Sequence, residues 1–166
     1  MSSANWRGSR RRILKGSSGY SGRRKAVPLP EKLRTLPYKV HTNSELGLML
    51  DGIKPLAIFT EAYGNFPECL VRYLRCFDRC ANEGRLSRWE FVKPMRLARR
   101  PDFRGIHYIY YTLPGEEWRA EAMLELLDRK GSWNAERERE FGTLLGYTDW
   151  QNDIWAERFP YRSLES

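Results

Sequence analysis

The chain has 166 residues and a formal net charge of +8, with six Trp, nine Tyr and seven Phe. That length holds one domain with an appendage, and the aromatic content supplies the area for a packed core. No apolar run approaches the roughly 20 residues that a membrane-spanning helix needs, so no membrane partner is expected. Three cysteines, Cys69, Cys76 and Cys80, with no recognisable signal peptide, fit a cytoplasmic protein better than a disulfide scaffold.

Charge is unevenly placed. Residues 1–36 carry +9, residues 37–104 carry +4, and residues 105–166 carry −5. A cationic front half and an anionic back half call for an anionic partner at the front.

Residues 1–36 read as a disordered basic arm, poor in apolar residues and rich in Ser, Gly, Arg and Lys. Arg7, Arg10, Arg11, Arg12 and Lys15 form one cluster, and Arg23, Arg24 and Lys25 a second. Pro28 and Pro30 stiffen the join to the body. SRRRILK, Ser9 to Lys15, resembles a twin-arginine export signal, but the GSSGYSGRRK after it is not the apolar segment such a signal requires. Trp6, Ile13, Leu14 and Tyr20 interleave with the charges, a pattern suited to phosphate contact with added stacking.

Residues 37–158 read as a single α+β domain. Tyr38 to His41 suggests a short edge strand. Asn43 or Ser44 caps a helix running to Asp51 and stopped by Gly52. Leu56 to Glu61 is a short apolar strand. Gly64-Asn65 turns the chain, and Pro67 opens a helix to Glu83 that buries Leu70, Val71, Leu74, Phe77 and Ala81. Leu86 to Lys93 follows as a strand, with Trp89 and Phe91 on one face and Glu90 on the other. The connection 94–104 carries Arg96, Arg99, Arg100 and Arg104. If its flanking strands pair as a hairpin, these guanidinium groups gather at the tip as a second anion site.

Gly105 to Thr112, GIHYIYYT, is the centre of the fold. Its β-branched and aromatic residues fall on both faces, the mark of a strand covered on both sides. Leu113-Pro114-Gly115 breaks it. A helix from Glu116 follows, with Trp118, Ala122, Met123, Leu126 and Leu127 as its apolar stripe. Asn134 caps a further helix whose apolar side is Phe141, Leu144 and Leu145. Thr148 and Gln151 form a capping box for a last helix bearing Trp150, Ile154 and Trp155. Residues 159–166 are a frayed tail. The expected architecture is a small antiparallel sheet of three to four strands, helices packed on one face, and a helical C-terminal region. The β-α-β-β-α middle resembles a ferredoxin-like split unit without its last strand, a likeness of topology that carries no function.

Tests for chemistry return no catalytic signature. There is no Gly-rich phosphate loop, no G-x-S-x-G and no H-E-x-x-H. His107 is the weak catalytic candidate, with Glu61 or Glu90 as its carboxylate, but for want of a positioned nucleophile a hydrogen-bonded core histidine is the default reading. His41 carries no signal. The cysteine spacing lacks zinc pairs and reads as buried, inert thiols, so no metal or cofactor is expected. Tyr108, Tyr110 and Tyr111 read as core rather than as base-stacking residues. Residues 140–155 have a helix-turn-helix outline, but Asn152 falls where an apolar residue belongs, and Asp149 and Asp153 would repel phosphate. A helical hairpin packing its own tryptophans, or one presenting Trp150, Ile154 and Trp155 to a protein partner or to a second copy, fits better.

The composite expectation is a small nucleic-acid-associated binding protein that contacts phosphates through its arm and its basic loop. An adaptor subunit of a larger assembly is the alternative, and a small enzyme with a His–carboxylate pair the third reading.

Overall fold

The computed structural model describes residues 30–97 and 101–160. In chain order the elements are α1 (Glu31–Arg34), α2 (Glu45–Leu50), β1 (Leu56–Ala62), α3 (Glu68–Asn82), β2 (Ser87–Pro94), β3 (Gly105–Thr112), α4 (Trp118–Asp128), α5 (Ala135–Leu144) and α6 (Asp149–Arg158). The strands form one antiparallel sheet of three, in the order β1-β3-β2. Leu56 stands opposite Thr112 and Ala62 opposite Ile106 on one side of β3. On the other, Ser87 stands opposite Thr112 and Pro94 opposite Gly105.

β3 is central because its side chains are apolar in both directions. Ile109 and Tyr111 point to one face, where Ala57 and Phe59 join them beneath Met49 of α2 and Leu74, Phe77 and Cys80 of α3. Tyr110 points to the other face, where Leu56 joins it beneath Ala120, Met123 and Leu126 of α4 and Leu144 of α5. Tyr110 and Tyr111 are both 0% exposed, and burying an aromatic side chain of this kind stabilises by roughly 1.5–3 kcal/mol. Aromatic edges fill both layers. Phe59 meets Phe77 at 5.1 Å and Tyr111 at 6.1 Å, and Phe91 stacks on Tyr108 at 4.8 Å.

The α+β class, the small antiparallel sheet and the helical C-terminal region are as the sequence indicates. The helices divide between the two faces, where packing on one face was expected, since a strand apolar on both sides needs cover on both. The β1-α3-β2 crossover leaves a gap that β3 fills in the antiparallel sense.

Two local expectations are corrected. Tyr38 to His41 is not a strand; the backbone N–H of His41 donates to the Tyr147 hydroxyl at 2.9 Å instead of to a ladder partner. The thiols are not uniformly buried: Cys80 lies in the core, while Cys69 and Cys76 are exposed because they fall outside the face of α3 that carries Leu74 and Phe77.

Gly105 opens β3 at φ +144°, and a Cβ there would overlap the carbonyl oxygen of Lys93 on the neighbouring strand. The hairpin closes tightly only with glycine at this position. Gly105→Ala is expected to lower unfolding stability by about 1–3 kcal/mol, read as a shift in the urea midpoint with an unchanged m-value; an unshifted midpoint would show that the strands re-space without cost.

Candidate functional site

The connection between β2 and β3 is the tip of a hairpin. Pairing continues past the strand ends, the Met95 N–H donating to Arg104 O at 3.3 Å. Arg96 and Arg104 are therefore carried on the two arms of the same hairpin end, and both are exposed. Arg99 and Arg100 lie outside the described residues, as do Arg7, Arg10, Arg11, Arg12, Lys15, Arg23, Arg24 and Lys25 of the arm.

Ion pairs occur in both halves of the chain, Arg72 with Glu68 and Arg85 with Glu83 among those before residue 105. In the acidic half, Arg129 holds Glu140 at 2.8 Å and Arg139 pairs with Asp153 and, at 3.8 Å, with Asp149. Lys93 of β2 is drawn to Asp128 at the end of α4. Lys32, Arg34, Lys39, Lys54, Arg75, Arg79, Arg96 and Arg104, and after residue 105 Lys130, Arg137 and Arg158, form no ion pair among the described residues. The cations left without internal carboxylates thus lie mostly before residue 105.

His107 sits in a polar ladder on the α3 side of the sheet. Its Nε2 is 2.7 Å from Glu90 Oε1. The other oxygen of Glu90 accepts from Arg88 Nη1 at 2.6 Å, and Arg88 Nε is 3.0 Å from Asp78 Oδ1. Tyr111 donates its hydroxyl to the same Asp78 oxygen at 2.6 Å. Phe66 presses its edge on the imidazole at 4.9 Å, and Tyr63 lies 5.8 Å away. Partial burial alone would raise the Glu90 carboxyl, but hydrogen bonds and charge from Arg88, then His107, hold it below the usual carboxylate range. Glu61 stands opposite His107 in the strand register, yet no hydrogen bond joins the two side chains. Of the two carboxylates named from sequence, the fold gives His107 only Glu90, and Arg88 already occupies that carboxylate. No hydroxyl or thiol hydrogen-bonds the ring among the described residues. The arrangement ties strands β2 and β3 to α3; it does not assemble a nucleophile with a base.

The C-terminal hairpin of α5 and α6 turns at Gly146, φ +90°, where a side chain would run into Pro55. Gly142 lets Asn152 close on α5, and the buried Asn152 amide donates to Thr143 Oγ1 at 3.1 Å. The residue that spoiled the helix-turn-helix pattern is therefore the contact that fixes this hairpin. Trp155 is half-buried, its indole N–H donating to Glu138 at 3.1 Å, and Trp133 donates to the same carboxylate at 2.6 Å. Ile154 is also half-buried. Of the three residues assigned to an interface, Trp150 alone is open, 54% exposed, with an edge contact to Tyr38 at 5.7 Å. Tyr110 and Tyr111, being buried, offer no face to a base, and Tyr108 is stacked by Phe91.

One cluster had no expectation attached to it. His41 and Lys54 are 5% and 3% exposed. The His41 ring stacks on Tyr147 at 4.0 Å with planes 13° apart. Lys54 Nζ lies 3.5 Å from His41 Nδ1, 3.5 Å from Leu145 O and 6.0 Å from the Tyr147 ring centre. No carboxylate pairs with Lys54 among the described residues. Burial pushes the lysine down to about 8, with the Glu45 charge opposing, and burial plus the Lys54 charge push His41 down to about 4. The one sequence signal was a lone lysine inside IKPLAIF, an apolar run entering a strand.

Comparison of the chain with protein-family models, with curated proteins and with solved structures returns no match. Among the described residues no group of three or more His, Cys, Asp and Glu is placed to hold a metal ion, and no helix is long and apolar enough to cross a membrane.

The buried pair sets a pH dependence of stability. Lys54 falls from 10.5 to about 8 on folding, so the unfolded chain binds its proton more tightly. Its destabilising effect, on the order of 3 kcal/mol, is fully present below the folded value and disappears as pH rises towards the unfolded one. His41 falls from 6.5 to about 4, so stability drops as pH falls through that window. Melting temperatures recorded from pH 4 to 10.5 across these ranges should climb at both ends of the interval as pH increases. Lys54→Met should melt higher at neutral pH and lose the alkaline rise. A lower melting temperature for that variant would show that the ammonium is favourably held.

Proposed function

We propose that this protein is a nucleic-acid-associated binding protein whose basic N-terminal arm and basic hairpin end contact phosphates. The observation that carries the reading is the charge partition: residues 1–36 hold +9 against −5 for residues 105–166. In the acidic half Arg119, Arg129 and Arg139 are held in ion pairs, while Arg96 and Arg104 stay exposed and unpaired among the described residues. Phosphate contact of this kind positions a protein and conveys little sequence information. The arm clusters, Arg7 to Lys15 and Arg23 to Lys25, would supply most of the affinity, with Arg96, Arg99, Arg100 and Arg104 adding a second point of contact.

A second reading, a subunit of a larger assembly, is favoured by Trp150, a large apolar side chain left 54% exposed on the acidic α6. Exposed tryptophans are common anchors of protein interfaces.

Fluorescence anisotropy with random-sequence DNA and RNA over a salt series separates the two. The first reading expects log affinity to fall with log salt, by about 0.9 per duplex phosphate engaged, with binding lost when residues 1–29 are deleted. Arg96→Ala and Arg104→Ala should each reduce that slope by about 1 and weaken all sequences alike. Binding that ignores salt, or that persists without the arm and in both hairpin variants, overturns the proposal. The second reading expects Trp150→Ala to abolish capture of a protein partner in nuclease-treated extract, with nucleic-acid binding unchanged.

A further inference from the structure

We propose that the free edge of β2 is the interface of a symmetric dimer: a second copy pairs antiparallel with it about Trp89, joining two three-stranded sheets into one of six.

β2 has a paired side and an open side. The Met95 N–H is directed at Arg104 on the β3 side. Backbone direction alternates along a strand, so Ser87, Trp89, Phe91 and Lys93 direct their N–H and C=O groups to β3. Arg88, Glu90 and Val92 direct theirs outward, where no strand of the described chain lies. Pro94 also falls in the outward set, so its missing N–H lies on the open edge, the placement a sheet tolerates. An open row of backbone donors and acceptors is a template for another strand. The exposed apolar side chains concentrate beside it. Of the nine large hydrophobic residues left exposed among those described, Trp89, Val92, Met95 and Leu97 lie on this strand and its continuation, which marks the edge as a surface to be covered.

The occupant is a second copy because the edge is complementary to itself in one register. With the two-fold axis at Trp89, Arg88 of each chain stands opposite Glu90 of the other, twice, on the α3 side of the sheet. On the opposite side Trp89 meets its own counterpart and Ser87 meets Phe91. The outward residues Arg88 and Glu90 become hydrogen-bonded pairs, and Val92 reaches residue 86. Neighbouring registers fail. An axis at Arg88 or Glu90 opposes like charges directly, which is destabilising. An axis at Phe91 or Val92 brings Pro94 into the ladder at a position that needs an N–H. Within each chain Arg88 already holds Glu90 at 2.6 Å, flanked by Asp78 and His107, so the paired edges would fuse two such ladders into one alternating network. The shared strand is short, so the association is expected to be weak, with a dissociation constant on the order of 10 µM.

The test is sedimentation of the full chain, after nuclease treatment, from about 1 to about 100 µM, with amide exchange followed on the same samples. The expected result is a mass approaching twice that of the chain at the upper end. The Arg88 and Glu90 amides should then exchange at least about tenfold more slowly than in dilute solution. Trp89→Glu places two carboxylates on the axis, and Val92→Pro removes an N–H that only a partner strand would use. Both should sediment as monomers, Trp89→Glu with an unaltered circular-dichroism spectrum, so that it decides the matter if the proline variant fails to fold. A wild-type chain monomeric throughout, a dimer that survives Trp89→Glu, or Arg88 and Glu90 amides indifferent to concentration overturns the proposal. The result does not depend on the nucleic-acid reading, which is scored separately by the anisotropy series.

Discussion

The two-sided burial of β3 is the constraint from which the architecture follows. A strand with Ile109 and Tyr111 on one face and Tyr110 on the other cannot lie at the edge of a sheet or against solvent. It takes the centre, with β1 and β2 as flanks and a helical layer above and below. α2 and α3 supply one layer, α4 and α5 the other. The flanking strands then differ according to their cover. β1 is largely buried, whereas β2 is exposed along most of its length and depends on side-chain bridges, Arg88 to Asp78 and Lys93 to Asp128, to reach the helices on either side. Exposed pairs of this kind contribute little each, roughly 0–1 kcal/mol. β2 is thus held chiefly by its ladder to β3.

Electrostatics divides the molecule along its sequence rather than by layer. Residues 105–166 carry twelve of the 21 acidic residues, and several of those on the C-terminal helices are held internally. Glu140 holds Arg129, Glu138 receives the indoles of Trp133 and Trp155, and Asp149 and Asp153 share Arg139. α6 accordingly presents an acidic surface, unsuited to phosphate, although its connection to α5 has the outline of a DNA-reading hairpin. Before residue 105, Arg75, Arg79, Arg96 and Arg104 carry no ion pair among the described residues. Form and charge point in different directions at this hairpin, and charge decides, because phosphate attraction is the sequence-independent part of nucleic-acid binding.

The His41–Lys54–Tyr147 cluster joins the segment before β1 to the turn between α5 and α6. It resolves an arrangement in which a lysine is enclosed without a carboxylate. The aromatic stack and the Leu145 carbonyl offer only partial compensation at 3.5 Å, so the proton is held less firmly than in water. A buried ionisable group retained under such conditions costs stability, and its position at the junction of two chain segments ties that cost to their docking.

Much of the fold was legible in the chain. The strand at Gly105–Thr112, the helix stop at Gly52 and the capping box of Thr148 with Gln151 are all local patterns, set by backbone propensity and by hydrogen bonds within a few residues. The basic hairpin end was foreseen from composition and the pairing of its flanking strands, as was Glu90 as a carboxylate within reach of His107. The sequence alone thus determined most element types, though not the conformation of Tyr38 to His41, together with the central strand and the distribution of charge. Tertiary structure decided the rest: that helices cover both faces, that Arg88 claims Glu90, that Asn152 closes on Gly142, and that Lys54 is shut in beside His41, 13 residues away, and Tyr147, far along the chain. These outcomes rest on contacts between residues distant in sequence. No local propensity encodes such contacts; they arise only when the sheet fixes which side chains share a space.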